Sequence, residues 1–425
     1  MGNSSSSRTM LGPTPALPYL LPEGVIPKSL HGGHGSPDSN KKLQQLLRAN
    51  EATYSVLYHE RKFHNHIPHI LGSAFFLGAS SEQLVEIYEE NSKRLEIWQE
   101  DSPAEVTGDD WRDFYGLREY QRGYRDYFTD EVVFASFDWK RVVFKYLLVD
   151  EAKLLKGLTA DLAHPLIHLA YAFELGSAEV AIEALTLDVV CYPPKEDYEE
   201  EYMKIYVKLQ NNPSIAALAE DPITILGQVR DNTELDNVSD TPFRDLKELI
   251  LPFLIRLDLS NPNDTIYQIS YATSLLVTAT HNKGDYQVDF ALVHTLTASH
   301  AVLILLPLLP MQYKISLLVN LWIFILRTYI QVGRPLINPN LIWEYGGVQH
   351  EQMTWDHIVD LALTGPMMFD PHYLKVIRAL KALYENTPDD SVRELYLREA
   401  AMFATETKGY LKDFSGKGLN VRHNH

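Results

Sequence analysis

Histidine recurs in this chain where a helix opens or inside an apolar helix, and imidazoles placed that way can hold iron, zinc, copper or nickel. The clearest local pattern is Asp370-Pro371-His372-Tyr373-Leu374-Lys375. Asp370 is a good N-cap, because its carboxylate can accept from a free backbone N–H. Pro371 then falls at the first helical position, where a missing N–H costs nothing. His372 and Lys375 are three apart and share a face that continues through apolar Val376, Ala379 and Leu383. A free ammonium is badly placed there, by desolvation and by the positive end of the helix together. Two readings follow: Lys375 snorkels to the surface beside a hydrogen-bonded His372, or the pair serves a buried site.

Three other stretches bear on that choice. In His64-Asn65-His66-Ile67-Pro68-His69, Asn65 suits an N-cap and Pro68 is tolerated in a first turn. A helix is expected from His66 through Leu71, Ala74, Phe75 and Leu77 to Gly78, with His66 and His69 on one face. In His164-Pro165-Leu166-Ile167-His168 the two histidines have the separation that two ligands on one helix face need. Pro165 disfavours helical geometry at His164, which predicts a kink or helix entrance there. The neighbours are apolar, so these imidazoles need a partner: a metal, the backbone, or a carboxylate such as Glu174. His294 stands in a strongly apolar helix, where a lone histidine can also be a satisfied core residue. His350 and His357 are expected on the surface.

The ligand chemistry narrows by elimination. A di-iron bundle needs two Glu-x-x-His helices, and the nearest match is a single Asp161-Leu162-Ala163-His164. There is no His-Glu-x-x-His for a zinc protease. Four neutral imidazoles leave a divalent ion with its charge unbalanced. A carbamylated Lys375 would supply the anion, since CO2 adds to a neutral amine and burial near a helix N-terminus favours both amine neutrality and the resulting anion.

The elements that must position these residues read as helices. The chain has 425 residues, 45% hydrophobic and 22% charged, enough for one large core. Its net charge of -18 disfavours nucleic acid and anionic membrane as partners. The single cysteine, Cys191, excludes an internal disulfide and suggests a reducing, cytoplasmic compartment. Residues 1–37, rich in Ser, Gly and Pro, read as an extended leader, and residues 38–425 as one all-α domain. Met1-Gly2-Asn3-Ser4-Ser5-Ser6 fits the N-myristoylation pattern and equally a plain serine-rich tail.

Helical periodicity is expected over Lys41–Tyr58, Ser80–Gln99, Arg112–Asp130, Phe134–Gly176 (interrupted at Gly157 and Pro165), Ala178–Tyr192, Phe243–Leu257 and Asp264–Thr280. The arginines of 112–130 are expected to pair with neighbouring acids, and Lys195–Glu201 reads as a solvated acidic run. The most apolar part, Asp285–Gly333, is broken by Pro307, Pro310 and polar residues. It reads as buried core helices without an uninterrupted membrane-length span. Residues 335–347 are expected to be irregular, and helices from about 369 and about 390 close the chain. No strand leads into a Gly-x-Gly-x-x-Gly or P-loop motif, so a Rossmann site for flavin or nicotinamide lacks support.

At these residues the sequence resembles the questin oxidase-like family of fungal aromatic polyketide pathways. The matching stretches, in order, are Asn65-His66-Ile67-Pro68 with Leu77-Gly78-Ala79, Ala163-His164-Pro165-Leu166-Ile167-His168, His294-Thr295-Leu296-Thr297, and His372-Tyr373-Leu374-Lys375 with Arg378-Ala379-Leu380. The resemblance implies an O2-dependent oxygenase that opens a ring of an anthraquinone or related polyketide, with a Baeyer–Villiger-like or other C–C cleavage outcome. It implies mononuclear non-haem Fe(II) held by His66, His164, His294, His372 and a carboxylated Lys375. His69 and His168 are then candidates to stand behind the ligands or to face substrate. NADPH enters as a reductant used by some members, without a visible binding motif here.

Two other functions suit the same residues. One is a zinc- or nickel-dependent hydrolase or lyase, since histidines plus carbamylated lysine serve those metals too. The other is a non-enzymatic helical scaffold, which predicts no stoichiometric metal.

Overall fold

Ser36 accepts the N–H of Ser39 on its hydroxyl at 3.1 Å, which caps helix α1 (Pro37–Thr53). The computed structural model describes residues 36–99, 102–148, 154–192, 219–238, 241, 243–349 and 353–411. The leader up to residue 35, Gly2 within it, the acidic run 195–201 and His350 lie outside the described residues. Helix makes up 68% of the described residues, and each described strand is two residues long, so the class is all-α.

α1 stops at Thr53, before the expected Tyr58. The β-favouring run Tyr54–Tyr58 instead leads into β1 (Leu57–Tyr58), which pairs antiparallel with β2 (Phe63–His64). α2 (Ile67–Phe76) follows at once. α3 (Ser81–Ser92) begins with a Ser80/Gln83 capping box and ends well short of Gln99. Residues 134–176 are not one interrupted helix but the end of α4 (Gln121–Phe134), then α5 (Trp139–Leu148), α6 (Leu154–Gly157) and α7 (Ala160–Leu175). The arginines of this region do pair with acids: Arg118 with Asp161, Arg122 with Asp126, Arg125 with Glu51. α8 (Ala178–Cys191) runs as expected and packs on α7.

The second half contains α9 (Pro222–Asp231), α10 (Lys247–Leu254), α11 (Pro262–Thr278), β3 (Val288–Asp289), α12 (Phe290–Leu305), α13 (Met311–Gln331), α14 (Asn340–Trp343), α15 (Trp355–Thr364), α16 (Pro371–Asn386), α17 (Asp390–Glu406) and β4 (Tyr410–Leu411). β4 closes the described fold by pairing parallel with β3. By length and mean hydropathy, Phe290–Leu308 and Met311–Gln331 could cross a bilayer, but polar residues such as His294, Lys314 and Asn320 interrupt their apolar runs as expected. Their apolar windows are 94% and 67% buried inside the fold, so these are core helices. Every residue from Ala291 to Leu305 is buried.

Four helices carry the histidine stretches, and they pack as a closed ring: α2 on α7, α7 on α12, α12 on α16, and α16 back on α2. The rest of the fold surrounds that ring.

Candidate metal centre

Asp370 caps α16 as the sequence suggests, accepting the backbone N–H of His372 and of Tyr373 at 2.8 Å each. That cap fixes the first turn and sends His372 and Lys375 inward. Lys375 does not snorkel: it is 2% exposed, and its Nζ has no hydrogen-bond partner. Burial lowers its pKa to about 7, with the carboxylate of Asp370 acting weakly the other way. A large fraction of the amine is therefore neutral near neutral pH.

α2 starts one residue later than expected. Its first residue is Ile67, whose N–H donates to Asn65 Oδ1 at 3.0 Å, and His66 sits at the cap position. His66 Nδ1–H donates to the His64 carbonyl at 2.6 Å. A carbonyl only accepts, so the proton is on Nδ1 and Nε2 carries the lone pair.

α7 has the kink that Pro165 predicts, and the kink takes a particular form. Asp161, Leu162 and Ala163 are all left-handed, with φ of 48°, 59° and 59°. For non-glycine residues this costs about 1–2 kcal/mol each. The turn places the Asp161 carbonyl under His164, whose Nδ1–H donates to it at 2.6 Å. Asp161 and His164 are therefore not on one regular helix, which removes the apparent Asp-x-x-His match. His294, in the first turns of α12, donates from Nδ1 to the Phe290 carbonyl at 2.9 Å.

These bonds turn the Nε2 atoms inward. His66 Nε2 and His164 Nε2 are 3.0 Å apart. Ligand atoms of His66, His164 and His372 all lie within 4.8 Å of one another. The His294 ring stands 4.9 Å from that of His164 and 5.0 Å from that of His372. His294 Nε2 and His372 Nε2 are buried without partners, as is Lys375 Nζ. Burial, then the charge of Lys375, pushes His66, His294 and His372 well below the ordinary imidazole value, and burial, then His64, does so for His164. Three neutral imidazoles whose ligand atoms lie within 4.8 Å of one another, with a fourth ring beside two of them and a buried unpaired amine on the same helix as His372, fit a divalent transition metal. His66 keeps a partly exposed edge, and half-buried Phe290 and Tyr410 flank His372 at centroid distances of 4.6 and 5.9 Å.

His69 and His168 lie one turn beyond His66 and His164 and form a row of their own. Glu183 accepts from His168 Nε2–H at 3.0 Å, and its other oxygen accepts from Asn50 at 2.8 Å. With that proton on Nε2, His168 Nδ1 is the acceptor and His69 Nε2–H donates to it at 3.1 Å. His69 Nδ1 is left as a buried, unpartnered lone pair. The partner of His168 is thus Glu183 and not Glu174. Glu174 instead pairs with Arg378 at 2.6 Å, and Arg378 also contacts His300 Nε2 at 3.0 Å. His357 is exposed, as expected.

Sequence reasoning missed His64. Its ring lies flat on that of His164, with centroids 3.8 Å apart and planes at 4°, and its Nε2–H donates to Asp161 Oδ2 at 2.9 Å. The only sequence signal was its membership of the first histidine stretch. An apolar cavity lined by Phe144, Leu155, Leu169, Phe173, Leu305 and Leu317 includes none of these histidines in its wall.

The sequence model of the questin oxidase-like family matches residues 63–380, which spans all four histidine stretches. Oxidoreductase AflY of Aspergillus parasiticus is 27% identical over 87% of this chain and 78% of its own length. Baeyer-Villiger oxidase GME11358 of Pestalotiopsis microspora is 24% identical, with 82% of each chain covered. Baeyer-Villiger monooxygenase dmxR6 of a Cryptosporiopsis species is 22% identical over 81% of each.

Proposed function

The chain belongs to the questin oxidase-like family and is an oxidoreductase, and from that premise we propose that it uses iron and O2 to open a ring of an aromatic polyketide of the anthraquinone type. The observation that carries the reading is the cluster of His66, His164 and His372, whose ligand atoms lie within 4.8 Å of one another, with the His294 ring beside those of His164 and His372 and a buried, unpaired Lys375 one turn along from His372. In this reading the four imidazoles hold the metal through Nε2. Lys375 completes the set as a carbamate: the neutral amine adds to CO2, one N–H proton leaves, and the new carboxylate balances charge. Among the described residues no carboxylate joins the cluster of His66, His164 and His372, and Asp370, 3.8 Å from His372 Nδ1, is occupied in capping α16.

Iron held there supplies the redox route by which ground-state O2 reacts with an electron-rich ring. The chain's own residues do the rest. The carbonyls of His64, Asp161 and Phe290 hold His66, His164 and His294 in the tautomer that presents a lone pair on Nε2. Burial keeps the point dry. Phe290 and Tyr410 offer aromatic faces beside His372 against which a flat substrate can lie. Insertion of one oxygen atom next to a ring carbonyl, with the other reduced to water, needs two electrons and two protons. NADPH in solution is the reductant of this reading, since the described residues contain no sheet for a bound dinucleotide. A reducing, cytoplasmic setting suits it and keeps Cys191 a thiol.

The test is metal content by mass spectrometry for wild type and Lys375→Ala, followed by O2 uptake with hydroxyanthraquinones. Stoichiometric iron that is lost in the variant, and substrate-dependent O2 uptake, are the expected results. Zinc or nickel with no O2 dependence would move the assignment to a hydrolase.

A further inference from the structure

His66 and His164 belong to different helices, and what keeps their Nε2 atoms together lies outside the centre. The carbonyl that orients His66 is that of His64, and the carbonyl that orients His164 is that of Asp161. These two residues are bonded to each other, His64 Nε2–H donating to Asp161 Oδ2 at 2.9 Å. The circuit His66–His64–Asp161–His164 therefore closes through one side-chain hydrogen bond. The His64 ring, stacked on that of His164, adds a second contact on the same side. Arg118 braces the circuit from outside, donating to Asp161 Oδ2 at 2.6 Å and to the Arg61 carbonyl at 2.7 Å.

The backbone that this circuit holds is under strain. Asp161, Leu162 and Ala163 are left-handed in sequence, and none of them is a glycine. Such a turn persists only where its surroundings over-determine it. Here the bonds from the Asp161 side chain to His64 and Arg118 do so. Water reaches one end of the His64–Asp161 bond, since the Asp161 side chain is 29% exposed while that of His64 is 7% exposed.

We infer that the His64–Asp161 hydrogen bond is a latch on the metal centre. Closed, it holds the turn at 161–163 and with it the Nε2 of His164. Open, it lets the turn relax, carries His164 away from His66, and admits or releases a divalent ion. Asp161 is thus a positioning residue that touches neither metal nor substrate. The inference rests on the reading that the four imidazoles hold a metal. A second cation site at His64, Asp161 and Cys191, whose ligand atoms lie within 4.8 Å of one another, is the competing use of these residues. The Arg118 guanidinium already on Asp161 Oδ2 opposes a cation there.

The probe is Co(II), loaded into the full-length protein and followed by its visible ligand-field bands during stopped-flow competition with EDTA. Asp161→Ala removes the acceptor and keeps the carbonyl that orients His164. His64→Phe keeps a flat ring and the carbonyl that orients His66 while removing the donor, so it serves if the first variant folds poorly. Either is expected to load fully, with unchanged bands, and to release Co(II) about tenfold faster, the equivalent of one lost charge-assisted hydrogen bond. Leu162→Gly tolerates the left-handed turn without the latch. Added to either variant, it is expected to bring release back toward the wild-type rate. Release as slow as wild type in both single variants overturns the latch. So does fast release that Leu162→Gly leaves untouched, because the loss then does not run through the turn. Wild type that takes up no Co(II) removes the metal reading itself, an outcome distinct from both.

Discussion

His66 Nε2 and His164 Nε2 face each other across 3.0 Å with no proton between them, because each ring has already given its Nδ1 proton to a backbone carbonyl. Two lone pairs so placed repel unless a cation stands against both. Stripping metal with a chelator is therefore expected to lower the melting temperature, and re-adding Fe(II) or Co(II) to restore it. At a hundredfold excess of ion over its dissociation constant, linkage makes the gain about 2.7 kcal/mol. Scanning calorimetry with and without chelator measures it. A melting temperature that ignores both treatments would count against a cation at this point.

Lys375 makes the metal-free protein sensitive to pH in one direction. Its amine falls to about 7 in the fold from an ordinary 10.5. Between those values the unfolded chain binds the additional proton, so this residue's contribution makes stability rise with pH across that window. Below about pH 7 the fold carries a buried ammonium and the penalty is complete. Metal-free Lys375→Met is expected to exceed metal-free wild type by a margin on the order of 4 kcal/mol near pH 6, shrinking toward pH 10. It is also expected to lose its metal. Urea unfolding across that range would show a constant difference if the amine were solvated.

Glu399 on α17 should produce the opposite slope. Its pKa rises to about 8, driven by burial and only partly offset by the hydroxyls of Ser274 and Thr278 that donate to Oε1. From 4.5 to 8 the folded state holds the additional proton, so the contribution to stability falls as pH rises and is flat beyond. Glu399→Gln is expected to match wild type near pH 4.5 and to exceed it by roughly 3–5 kcal/mol above pH 8. Melting curves of the two proteins that stay parallel across this range would sink the assignment.

Arg378 and Glu174 form a fully buried ion pair between α16 and α7, with the guanidinium also over the Phe76 ring at 4.2 Å. Removing one partner leaves the other charge without its mate. Arg378→Met is expected to cost about 3–5 kcal/mol, and the double variant Arg378→Met/Glu174→Gln to recover much of it. A double-mutant cycle with no coupling would show that the pair is solvated in solution.

Much of this centre was legible in the sequence because helix starts are local events. Asp370-Pro371 announces α16, and Pro165 announces the break before His164. The four histidine stretches could be named without knowing how they meet. Other features depend on contacts far apart in the chain. The sequence offered Glu174 as a carboxylate partner for the histidines of α7, and only the packing of α7 on α8 brings Glu183 to His168 instead. The left-handed run at 161–163 has no propensity signal, since Asp, Leu and Ala all favour the right-handed turn. The same lack of local information explains why α1 and α3 end earlier than their periodicity suggests: apolar residues continue past both ends, but in short strands and turns.

The ring formed by α2, α7, α12 and α16 has a consequence for biosynthesis. Its four imidazoles are spread from residue 66 to residue 372, with Lys375 just beyond. A nascent chain that has emerged only as far as α8 displays two of them and cannot compete for scarce metal against complete sites elsewhere. If these imidazoles hold a metal, its capture would wait until α12, whose residues from Ala291 to Leu305 are all buried, has been enclosed and α16 has docked. Bound metal would then count finished molecules: in a mixed preparation, the ratio of metal to polypeptide reports the fraction that reached the end of folding.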